Sequence, residues 1–128
     1  MARRRSINGS RARHENPIPN ACRIGNIVMS SVIGGSNPGT RELPATLAEQ
    51  VANVFGYIRH DIEAAGGTVD DIIKITFWVK DRAKQRAALN DEWVKMFPDP
   101  NARPARHTQP LPADSRALVQ ADFVAVIS

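Results

Sequence analysis

Ile73-Lys74-Ile75-Thr76-Phe77-Trp78-Val79-Lys80-Asp81 is the stretch on which the architecture turns. Ile73, Ile75, Phe77 and Val79 alternate with Lys74, Thr76 and Trp78, the period of a strand with one buried face. The other face meets a different environment, an interface or a site. Asp81 then supplies an N-cap, and the sequence predicts a second helix with Ala83, Ala87, Leu89, Trp93 and Met96 or Phe97 turned to the core until Pro98 ends it. Upstream, Thr46 and Glu49 have the spacing of a capping box, and Leu47, Val51, Val54, Ile58 and Ile62 recur at intervals of three and four. That is a long amphipathic helix, widened by Ala48, Ala52 and Phe55, ending near Gly66-Gly67. Gly56 inside it marks a close approach of another element.

Farther out lie short extended runs. Ala21 to Ile24 and Ile27 to Val32 flank Gly25-Asn26, and glycine accepts the positive φ of a tight hairpin. Arg4 to Ile7 reads as an edge strand, Gly34 to Thr40 as a loop. That loop lacks the Gly-Lys-Ser/Thr ending of a phosphate loop. Pro98, Pro100 and Pro104 are expected to hold an extended connection to two last strands, Ala105 to Gln109 and Leu118 to Ile127. Val119, Ala121, Phe123 and Ala125 share one face of the second. The order βββαβαββ gives an α+β layer, two helices on one face of a mixed sheet. Val28, Trp78, Val124 and Val126 are assigned to the uncovered face, where association would bury them.

The 128 residues make one domain, residues 15–128, preceded by residues 1–14 as a basic arm with the edge strand. The net charge of +4 resides in that arm: Arg3, Arg4, Arg5, Arg11 and Arg13 precede the first acid, Glu15, and removing those five from seventeen basic residues leaves twelve against thirteen acids. No aromatic residue interleaves with these arginines, so nucleic acid is not an expected partner. The opening lacks the apolar core of a signal peptide, and no run is long enough to span a membrane; a cytoplasmic protein is expected. Cys22 is the sole cysteine, which excludes an internal disulfide and reads as packing. His14, His60 and His107 show no metal-ligand spacing.

Arg103-Pro104-Ala105-Arg106-His107-Thr108 sets an arginine at the mouth of a strand, where its planar fork suits a carboxylate. Together with Asn16-Pro17, Gly25-Asn26-Ile27-Val28-Met29-Ser30-Ser31, Ala64-Ala65-Gly66-Gly67, Asp70-Asp71-Ile72-Ile73-Lys74 and Phe77-Trp78-Val79-Lys80-Asp81, it resembles the RidA/YjgF family of reactive-intermediate deaminases from about Glu15 onward. The resemblance implies a chorismate-mutase-like fold, a homotrimer with clefts at the subunit boundaries, and hydrolysis of enamines and imines to 2-keto acids and ammonia without a bound cofactor. Arg106 takes the position of the substrate-binding arginine. Ser31, Thr108 and Asn90 take pocket positions, with Ser30 beside Ser31.

Departures from the family pattern accompany these matches. Ile18 follows Asn16-Pro17 where relatives carry a tyrosine, and Gln120 replaces a glutamate that holds the attacking water. An amide orients water but cannot take its proton. Asp122 lies on the same strand face, about 6 to 7 Å along, as a possible substitute. Val32 stands where the family has a glycine, a replacement expected to narrow the cleft. Arg103 and His107 add cationic character near Arg106, although His107 alternates to the other face.

Three readings follow. The first is an imine/enamine deaminase, with a branch specialised for dicarboxylates such as an aminomuconate. The second is a small-anion binding or sensor protein with little catalysis. The third is an RNA-directed role, for which the chain offers no paired general acid and base in a basic groove.

Overall fold

The computed structural model describes residues 3–9 and 15–128; Arg11, Arg13 and His14 lie outside them. The described residues form β1 (Arg5–Ile7), β2 (Ala21–Ile24), β3 (Ile27–Ser30), β4 (Ile33–Gly34), α1 (Leu47–Ala64), β5 (Ile72–Val79), α2 (Arg82–Met96), β6 (Ala105–Pro110) and β7 (Val119–Val126). The strands make one sheet in the order β1-β2-β3-β7-β5-β6, with β4 also on β7. Only β5 and β6 pair in parallel, so the sheet is mixed. β4 carries on the direction of β3 after a break at Ser31-Val32. The Ser30 hydroxyl stands beside that break and accepts from the Phe123 amide at 2.9 Å.

Both helices cover one face. Val51, Val54, Ile58 and Ile62 of α1 meet Ile75, Phe77, Val119, Ala121 and Phe123 in the core. Thr46 caps α1 through the Glu49 amide, and Gly66 and Gly67 end it by donating to the carbonyls of Glu63 and Ile62, a Schellman arrangement. The hairpin turn has Gly25 at φ 56°, while Asn26 keeps a negative φ, the pattern of a II′ turn.

Several expectations need correction. A bulge between Ile72 and Lys74 inserts Ile73 as an extra residue. Ile72 is therefore buried and Ile73 is 53% exposed. Val28 pairs with Ala125 and faces the helices, fully buried, rather than the open side. On α2 the inner stripe is Gln85, Leu89 and Trp93. Ala83 and Ala87 are exposed, because the bulk of Leu89 and Trp93 fixes the rotation of the helix and a step of four back from Leu89 is Gln85. Ala48 and Ala52 are likewise exposed, and Gly56 has open space beside it. The close approach lies at Gly35 instead, where a Cβ would stand 2.5 Å from the Gln50 carbonyl oxygen. The segment before β6 bends at Asp99–Ala102, where Asp99 accepts from the Asn101 and Ala102 amides.

Candidate functional site

The site begins at the outer strand of the sheet. Parallel pairing sets Arg106 beside Ile75 and Thr108 beside Phe77, so both side chains rise on the helix-covered face, at its uncovered margin. α2 crosses above them. Trp93 meets Phe77 edge-on at 6.3 Å, and Phe77 stacks on Phe55 at 5.6 Å. The Arg106 guanidinium closes this aromatic file, 5.1 Å from the Trp93 ring centre and 5.9 Å from that of Phe77. Both distances lie within cation-π range.

Val79, Arg82, Arg86, Leu89, Arg106 and Thr108 enclose a cavity of about 190 Å³. Burial, and secondarily the Arg86 charge, lower the pKa of Arg106 from its ordinary value, though a guanidinium keeps its proton in proteins. No hydrogen bond or ion pair with another described residue engages it. A half-buried cation resting on ring faces, its donors unclaimed, is a ready receptor for a planar anion.

The other candidate residues divide into three places. Thr108 shares the Arg106 cavity. Gln120 and Asp122 lie on the opposite face of the sheet, across from Trp78 and Thr76 respectively. Burial raises the pKa of Asp122, and the Lys74 charge offsets part of that effect. His107 also points to this open face, level with Thr76. Ile18 and Ser31 lie toward the far side of the sheet. β2 and β6 are four strand spacings apart, roughly 19 Å. Ile18 lines a separate concavity with Ser6, Asn8 and Asn16, and the Ser31 hydroxyl donates to the Pro19 carbonyl at 2.7 Å. Within one chain these groups do not converge on Arg106.

Arg103 donates from Nε to the Phe97 carbonyl at 2.8 Å and so braces the end of α2. Asn90 is exposed and follows Arg82 and Arg86 at steps of four along α2. Those two arginines were missed from the sequence; their i,i+4 spacing was the available signal. No group of three or more His, Cys, Asp or Glu among the described residues is arranged to hold a metal ion.

A family model described as endoribonuclease L-PSP matches residues 10–127. The chain belongs to the RidA/YjgF family. A 2-iminobutanoate/2-iminopropanoate deaminase of Escherichia coli is 34% identical over 102 residues, spanning 77% of this chain and 79% of that protein. A RutC family protein of Haemophilus influenzae is 36% identical over 85 residues, 66% of this chain and 65% of its own length, just under two thirds. RidA from an Antarctic Psychrobacter shares the fold with a TM-score of 0.85 at 27% identity, covering 96% of this chain and 99% of that one. Escherichia coli TdcF with bound serine gives 0.85 at 26%, covering 97% and 99%.

This RidA/YjgF chain therefore has the expected architecture, two helices on one face of a mixed sheet. No helix among its described residues is long and apolar enough to cross a membrane.

Proposed function

We propose that this chain is an imine/enamine deaminase whose site is completed between subunits of a homotrimer, with Arg106 as the carboxylate clamp. The observation that carries the reading is the Arg106 guanidinium, seated on Trp93 and Phe77 with no hydrogen-bond or ion-pair partner among the described residues. The relative in Escherichia coli named a 2-iminobutanoate/2-iminopropanoate deaminase supports the reaction class. The assembly is supported by the open sheet face, where Ile27, Met29 and Val126 are at least 37% exposed and would be buried by neighbours.

The chemistry asked of the protein is modest. The substrate carboxylate docks on the Arg106 fork and fixes the imine carbon beside Thr108. A neighbouring subunit presents Gln120 and Asp122 across the boundary, and these orient a water molecule. Water oxygen bonds to the imine carbon, the carbon-nitrogen bond breaks, and ammonia leaves with the keto acid as product. Gln120 aims the water, while Asp122, whose pKa is raised, is the group able to carry the proton. Ile18 and Ser31 line the neighbour's wall of the same cleft.

Freshly generated 2-iminopropanoate tests this directly. Arg106→Ala should lower kcat/KM by about a hundredfold, the scale on which a lost charged and bidentate anchor is felt. An unchanged value would remove the clamp from the account. Gln120 favours one competing reading, a small-anion binding protein with little turnover, because an amide replaces a proton acceptor. Binding of a keto acid by a folded protein that consumes no imine would select it.

A further inference from the structure

Arg106 is one of three guanidiniums on its cavity. Arg82 and Arg86, one helical turn apart on α2, line it as well, together with Val79, Leu89 and Thr108. Among the described residues none of the three guanidiniums is engaged by a hydrogen bond or ion pair. Arg103, the neighbouring arginine in sequence, is by contrast committed to the Phe97 carbonyl.

The positions of Arg82 and Arg86 are electrostatically adverse. The first turn of α2 contains no acid, and Arg82 occupies its first position, where the helix dipole favours negative charge. Like charges four residues apart also repel along a helix face. The Asp81 carboxylate is held on the Ala83 and Lys84 amides as the cap. A dianion in the cavity would relieve both costs. The volume of about 190 Å³ equals about six liquid waters, room for a short diacid rather than a nucleotide.

We infer that this cavity takes a substrate with two carboxylates, one on Arg106 and the other on Arg82 and Arg86, so the favoured substrates are imines of dicarboxylic amino acids. The inference rests on Arg106 as clamp in the proposed function. It assigns the second charge to α2, not to Arg103 or His107, which lie elsewhere.

The test compares imines generated from aspartate and glutamate with those from alanine and 2-aminobutanoate, using wild type, the double variant R82Q/R86Q and Arg106→Ala. The ratio of kcat/KM for diacid over monoacid should fall by about tenfold or more in the double variant, as expected for losing charged hydrogen bonds to one carboxylate. Thermal melting of the same samples reports folding. A ratio unchanged within about twofold, with Arg106→Ala still impaired on both classes, overturns the diacid assignment and leaves the clamp standing. Unimpaired Arg106→Ala instead removes the proposed function itself. Should no imine be consumed, calorimetry with 2-oxoglutarate and 2-oxobutanoate reads the same selectivity. A preference for the dianion of about tenfold that disappears in R82Q/R86Q supports the inference, and equal affinities overturn it.

Discussion

The surroundings of Arg106 lower its pKa and those of Asp122 raise its own, and the two residues stand on opposite faces of the sheet. For Asp122 the shift has a consequence for folding. Its folded-state pKa lies above the ordinary 3.8, chiefly through burial, so the unfolded chain releases this proton first as pH rises. The group's contribution is fully present below the unfolded value and is lost as pH climbs through the folded one. Asp122→Asn should therefore flatten the decline in stability over that window. Denaturant midpoints measured at successive pH values check this, and an unaltered slope would refute it. The alternation that sets Arg106 with Thr108 and apart from His107 was legible, because side-chain direction follows strand period. Arg82 and Arg86 were not, since their approach to Arg106 depends on how α2 crosses β6.

At the scale of elements, strands and helix spans were readable where period and caps agreed, as in α1 with Thr46 and Glu49. Rotation and register were less so. Ile72 and Ile73 are equally apolar, and only pairing with β7 reveals which one the bulge turns outward. Likewise Gln50, buried on α1, donates to the Pro44 carbonyl and accepts from the Leu118 amide; no local pattern announces such a bridge between two loops. The two glycines near α1 make the point testable. Gly56→Ala, with open space at its Cβ, should stabilise by up to about 1 kcal/mol through helix propensity. Gly35→Ala, driven against the Gln50 backbone, should destabilise by about 1 to 3 kcal/mol. Urea unfolding of both variants measures the contrast, and similar values would place the close approach wrongly.

Among the described residues the sheet has a face covered by helices and an open one, with Arg106 at the margin of the first and Gln120 and Asp122 on the second. The α+β layer follows from the order of elements. The exposed Met29 and Val126 lie on the face that the proposed assembly would bury, but composition cannot count the copies. The separation of Arg106 from Gln120 and Asp122 within one chain is the strongest physical reason to join them across a boundary. Subunit mixing tests that claim most directly. Arg106→Ala and the double variant Q120A/D122A, each impaired alone, are unfolded, mixed in equal amounts and reassembled, and imine hydrolysis is measured. Random trimers restore both halves of the site in about one quarter of clefts, so activity should recover toward that fraction of wild type. Mixed assemblies no more active than the parents would contradict a site shared between subunits, as would an Arg106→Ala parent that retained full turnover.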